Sequence, residues 1–150
     1  MYKNILVPVD GSTTSARGLA EALKLAKASG GKVRLVHVVD ELVMIDPEVP
    51  VYYPAMIESL RENGKAVLAK AEATVRAQGI PVEGVLLETM GKHAAELIIE
   101  QAGQSPVDLI VMGTHGRRGV RRLVLGSDAE LVLRSSPVPV LLVRSSSETA

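Results

Sequence analysis

Five short runs of aliphatic and β-branched residues punctuate this chain, and between them the apolar residues recur at helical spacing. The runs are ILVPVD at 5–10, KVRLVHVVD at 32–40, VEGVLLE at 82–88, VDLIVMG at 107–113 and VPVLLV at 138–143. Most are apolar on both faces rather than alternating, which is the signature of strands covered on both sides. Strands alternating with helices imply a parallel sheet with helices on both faces, an α/β fold of the doubly wound kind. In such sheets ligands bind beyond the carboxyl ends of the strands, where the strand order reverses. The loops that follow strands are therefore where function is sought.

The helical segments have legible ends. From Thr14 to Ser29 a stripe of Leu19, Leu23 and Ala26 stops at Gly30-Gly31. A second stripe runs from Met56 through Ile57, Leu60, Gly64, Val67, Leu68, Ala71 and Val75 to Gln78-Gly79. Thr89 is placed to cap a third helix using Ala94, Leu97, Ile98 and Gln101, stopped by Gly103 and Pro106. A fourth is expected from about Ser127 to Ser135. Residues 40–54, with three prolines and no sustained period, read as a long loop. No repeat or linker divides the pattern, so residues 1–150 are expected to form one domain, with a frayed polar tail at 145–150.

Composition narrows the function. The formal charge is zero and the aromatic content 2 %, Tyr2, Tyr52 and Tyr53 being the only members. A general nucleic-acid or membrane-surface binder would show a basic excess, and base stacking on aromatic platforms has almost nothing to use. There is no cysteine, hence no thiol catalysis and no thiolate metal site. The start of the chain lacks the features of a signal peptide, and no apolar run approaches the roughly 20 residues of a membrane span. A cytoplasmic protein is expected.

The residues richest in chemistry follow the fourth strand, in GTHGRRGVRRLVLGSDAE at 113–130. Its glycines fit Gly-x2-Gly-x9-Gly-Ser through Gly113, Gly116, Gly126 and Ser127. Phosphate binding needs backbone that approaches anionic oxygens closely and turns its N–H groups inward, and glycine permits both. Ser127 would stand at a helix start, where unpaired N–H groups and the helix dipole favour an anion; it would equally serve as an ordinary N-cap. Arg117, Arg118, Arg121 and Arg122 add local positive charge. Neither G-x-G-x-x-G after the first strand nor G-x-x-x-x-G-K-[ST] is present, so the dinucleotide and P-loop devices do not apply.

With VPVDGS near the N-terminus, LVHVVD in the second strand, VDLIVMGTHG in the fourth, the glycine spacing and a closing SPVPVLLVR, the chain resembles the universal stress protein family along nearly its whole length. The resemblance is to the nucleotide-binding branch. It implies a five-stranded parallel sheet of order 3-2-1-4-5, with the ends of strands one and four side by side. It implies that Pro8 and Asp10 contact adenine and ribose, and that Val38 borders the adenine. Gly113, Thr114, His115, Gly116, Arg117, Arg118 and Gly119, with Gly126, Ser127 and Asp128, would wrap ribose and phosphates, and Met112 before them belongs to the same nucleotide site. ATP is the implied ligand, with Mg or Mn beside the phosphates.

Three of these residues have competing readings. Asp10 is also a natural turn former before Gly11-Ser12, and Asp128 suits a helix N-terminal charge that points away from the anion. His115 is either a ribose or phosphate contact or simply solvent-exposed. His37, within a strand, reads as a satisfied core residue, and the three histidines are not spaced as a metal site. Ser12 and Ser15 are read as turn and capping residues. No residue is an evident base for activating water against a terminal phosphate. Binding coupled to a nucleotide-dependent stress-response switch is therefore expected ahead of two alternatives, a slow ATPase or phosphotransferase and a nucleotide-free interaction protein. Pro137 and Pro139 place the last strand at a sheet edge, and its apolar content, with the resemblance, implies a homodimer joined along 138–143.

Overall fold

The computed structural model describes residues 1–41, 48, 54–104, 106–115 and 125–145. The elements in chain order are β1 (Asn4–Pro8), α1 (Thr13–Ser29), β2 (Lys32–Asp40), α2 (Pro54–Arg76), β3 (Val82–Thr89), α3 (Ala94–Gln104), β4 (Leu109–Gly113), α4 (Ser127–Ser135) and β5 (Val140–Val143). The five strands form one parallel sheet of order β3-β2-β1-β4-β5, the α/β fold and strand order expected above. The expected loop at 40–54 and the tail fall largely outside the described residues.

Two apolar layers follow from the alternation of side chains along each strand. Ile5, Val7, Val33, Leu35, Leu109 and Val111 pack under α1 and α2. Leu6, Val36, Ile110 and Met112 pack under α3 and α4. The chain steps outward from β1 to β2 to β3 with its helices on the first face. It then crosses back to β4 and β5 with its helices on the second. The reversal lies between β1 and β4, which are paired through Ile5↔Leu109 and Leu6↔Ile110.

Local chemistry sets the ends of these elements. Ser12 caps α1 by accepting the Ser15 N–H at 3.1 Å, and the Ser15 hydroxyl in turn accepts the Asp10 N–H at 3.2 Å. This is the turn and capping role expected of both serines. Gly30 closes α1 in the left-handed conformation at φ 65°. His37 is buried, with Nδ1 2.8 Å from the Val9 carbonyl, so it is a satisfied core residue. Its ring fits because α2 crosses it at Gly64, where a Cβ would lie 2.8 Å from His37 Cδ2. At the far end of the sheet, Asp108 accepts the backbone N–H groups of Lys3 and Asn4 and ties β4 to β1.

Arg61 of α2 pins the upper rim of the same face. Its guanidinium donates to Glu88 at 2.7 and 3.2 Å, to Glu58 at 3.2 Å and to Glu41 at 3.2 Å. The hydrogen bonds it donates to Glu88 and then Glu58 hold its pKa above the ordinary arginine value. The cluster joins α2 to the ends of β2 and β3.

Two expectations need correction. Thr89 is not the cap of α3: it is the last residue of β3, paired with Asp40, and its hydroxyl accepts the Lys92 N–H at 3.1 Å. Helix α3 starts at Ala94, and Glu96 reaches back to the His93 N–H at 2.7 Å, half of a capping box. Ser127 is not an N-cap either, since that position belongs to Gly126.

Candidate functional site

β2 outruns β1, and this stagger shapes the switch point. β1 ends at Pro8, level with Val36, while β2 continues to Asp40 beside β3. Carrying the β1–β2 register two residues further sets Asp10 level with Val38. Carrying the β1–β4 register onward sets Pro8 level with Met112. Leu6, Val36 and Met112 face the α3/α4 layer, so by alternation Pro8 and Val38 face the same way. Two of the residues expected at the base, Pro8 and Val38, thus share one face with Met112 at one end of the sheet. Met112 is buried (7 % exposed), and Pro8, Asp10 and Val38 are half-buried.

The Val36 carbonyl points towards β1 and accepts the Val9 N–H at 2.8 Å. Two residues on, the Val38 carbonyl turns to the same side, where β1 has already ended. Asp10 does not simply project into this space. Its Oδ1 accepts the Ser12 N–H at 2.8 Å, closing the turn into α1. The turn-forming reading is therefore real, and a carboxylate with four lone-pair sites can still serve a ligand.

Beyond β4 the chain makes a compact root for the glycine loop. Thr114 donates its N–H to the Val143 carbonyl at 3.0 Å, and its own carbonyl accepts the Gly126 N–H at 2.8 Å. The two ends of the loop are thereby held together. His115 is buried (6 % exposed) with Nδ1 3.1 Å from the Thr114 hydroxyl, which removes the solvent-exposed reading. Gly116, Arg117, Arg118, Gly119, Arg121 and Arg122 lie outside the described residues.

Gly126 caps α4 with no side-chain acceptor, and the first intrahelical bond runs from the Glu130 N–H to the Gly126 carbonyl at 2.9 Å. The amides of Ser127, Asp128 and Ala129 therefore have no intrahelical acceptor, and the helix dipole adds positive potential there. Asp128 does not cancel it from within the loop. Its Oδ1 accepts the Ala95 N–H at 3.2 Å, so it caps α3 from a neighbouring helix. The Asp128 carboxylate is thus turned towards the start of α3.

Gly113 departs from the reason given for it above. A Cβ there would lie 2.5 Å from Thr14 Cγ2 and 3.0 Å from the Thr14 carbonyl oxygen. Helix α1 presses on the end of β4 at this point, helped by Gly18, whose Cβ would meet the Gly113 nitrogen at 3.2 Å. Sequence reading missed Gly18. Its signal was a ridge of small residues at four-residue spacing, Gly18, Ala22 and Ala26, all buried in α1.

The match to the universal stress protein family spans residues 1–144. This chain belongs to the universal stress protein family. Universal stress protein MJ0531 of Methanocaldococcus jannaschii is 35 % identical over 144 residues, covering 96 % of this chain and 83 % of the relative. The solved structure of protein MJ0577 superposes with a TM-score of 0.85 at 29 % identity, covering 97 % of each chain. The universal stress protein of Archaeoglobus fulgidus, solved in complex with dAMP, superposes at 0.68 with 26 % identity, covering 95 % of this chain and 98 % of that one. The universal stress protein sheet, with its switch point between β1 and β4, is thus the frame that carries the residues above.

Proposed function

We propose that this protein binds an adenine nucleotide, ATP in the first instance, at the switch point between β1 and β4, and works as a nucleotide-dependent switch in the stress response of the cytoplasm. The observation that carries the reading is a convergence. Pro8, Val38 and Met112 share one face beside a helix start whose glycine cap leaves three amides without intrahelical acceptors. The first group offers an aliphatic slot for a base, with the Val38 peptide edge beyond the end of β1 able to pair with adenine. The second offers a phosphate site. Asp10 accepts hydrogen bonds from ribose or the adenine amine. Gly113 to Gly119 and Gly126 to Asp128 are assigned as the wrapping segments, with Asp128 acting through its backbone. The dAMP held by the Archaeoglobus fulgidus relative supports this assignment.

The residues present fit a nucleotide better than a protein-held metal. No group of three or more His, Cys, Asp or Glu among the described residues could hold an ion. A Mg or Mn ion is therefore assigned to the phosphates, where it offsets charge that the amides share. Among the described residues no helix is long and apolar enough to cross a membrane.

Calorimetric titration with Mg-ATP should show saturable binding at micromolar levels, and Gly116→Val should abolish it while leaving the far-ultraviolet spectrum unchanged. No heat at millimolar Mg-ATP in nucleotide-stripped wild type would defeat the reading.

The same reading includes a homodimer along residues 138–143. Among the described residues β5 pairs with β4 alone and is the sheet edge. Leu141 is 38 % exposed on it, an apolar side chain on an open edge. Leu141→Lys should shift the protein from dimer to monomer in light scattering at tens of micromolar. A wild type already monomeric under those conditions would remove the dimer from the proposal.

A further inference from the structure

Helices α1 and α2 cover the same face of the sheet but lie over different strands, α1 chiefly over β4 and β1 and α2 over β2 and β3. Between them runs a groove of about 560 Å³, floored by Val9, Leu19, Leu23 and Ala71. This volume falls within the roughly 300–1,000 Å³ usual for small-molecule sites. The space between them stays unfilled because the helix surfaces that border it carry alanine, too short to reach across: Ala16 and Ala20 on α1, Ala66 on α2, all exposed. It opens on the face opposite to Pro8, Val38 and Met112 and shares none of their side chains.

Charge specifies the occupant. Among the described residues the groove is lined by two ammonium groups, Lys24 from α1 and Lys70 from α2, and by no acidic side chain. Lys24 touches Glu21 at 2.7 Å, an exposed pair on one helix turn that contributes little and exchanges readily. From Ser12 to Lys24 the groove follows about 18 Å of helix, long enough for an extended dodecyl chain. The geometry points to a second ligand site in this protein, a groove for a single-chain anionic amphiphile of the fatty-acid class. The acyl chain lies on Leu19, Leu23 and Ala71, and the carboxylate is held between Lys24 and Lys70. This site is independent of the nucleotide reading.

The test is titration calorimetry with dodecanoate below its micelle concentration, with decanoate, dodecanol and dodecyltrimethylammonium as comparisons. Dodecanoate should bind saturably and up to about fifteenfold more tightly than decanoate, since each buried methylene adds about fourfold. The double variant Lys24→Gln/Lys70→Gln should lose about fivefold for dodecanoate and nothing for dodecanol. Ala20→Trp and Ala66→Trp, which fill the groove from opposite walls at exposed positions, should each lose tenfold or more while melting as wild type does. The pair keeps the test decisive if one of them folds poorly. Absence of saturable binding, affinity unchanged in both tryptophan variants, or dodecyltrimethylammonium binding as tightly as dodecanoate would each overturn the site.

Discussion

Gly113→Val should destabilise the nucleotide-free protein by about 3 kcal/mol or more, the upper part of the range for overpacking a close-fitted site. For a chain of this size that is a fall in melting temperature of about 6–12 °C. The cause is steric rather than conformational. Gly113 does not occupy the left-handed region, but its Cβ would lie 2.5 Å from the Thr14 methyl and 3.0 Å from the Thr14 carbonyl oxygen. The methyl can be removed and the carbonyl cannot. Gly113→Ala should therefore cost about 1–3 kcal/mol, and Thr14→Ser should recover about 1 kcal/mol of that loss as a coupling between touching residues. Thermal melts of the four members of that cycle, all stripped of nucleotide, provide the measurement. If Gly113→Ala melted as wild type does yet failed to bind ATP, the glycine would be serving the ligand alone and the packing argument would be wrong.

That distinction marks how far the sequence could be read. The strands were legible because buried parallel strands are apolar on both faces. α4 was legible because Ser127 and Ser135 bound a short stripe, and the edge position of β5 because Pro137 and Pro139 cannot donate to a ladder. The strand order came from family resemblance, since nothing in residue spacing alone says that β4 returns beside β1. What escaped was tertiary. Thr89 was given to α3 by local capping rules, but the acceptor for the Ala95 N–H comes from Asp128, 33 residues away. A glycine at 113 reads the same whether a phosphate or a helix demands the space, and only the approach of Thr14 separates the two. His115 gave no sign that it would be buried against the root of its own loop. At the candidate site, the residue types and their spacing were visible beforehand. Their convergence on one face depends on the β1–β2 and β1–β4 registers.

Asp10→Asn and Asp10→Ala should part company, and their difference separates the two duties of this carboxylate. Oδ1 already accepts the Ser12 N–H at 2.8 Å. An asparagine Oδ1 can keep that bond, whereas alanine leaves the turn before α1 without its acceptor. Alanine should therefore lower stability by about 1 kcal/mol, the usual net value of such a bond, and asparagine by much less. Nucleotide affinity should follow a different order. A hydroxyl or amine donating to a carboxylate makes a charge-assisted bond worth about 1.5–3 kcal/mol, or roughly ten- to hundredfold in affinity. Asparagine, with Oδ1 held by Ser12, turns an amide donor towards the ligand instead of an oxygen. Both variants should then lose ATP affinity on that scale, while alanine alone loses stability. Any slow hydrolysis should persist once either variant is saturated with ATP, because a group that positions the ligand contributes to binding more than to the chemical step. Calorimetry, thermal melts and single-turnover hydrolysis at saturating ATP read the three quantities separately. Asparagine binding ATP as wild type does would confine Asp10 to the turn. A fast wild-type turnover, lost a thousandfold in either variant with affinity unchanged, would make Asp10 a catalytic base and this protein an enzyme.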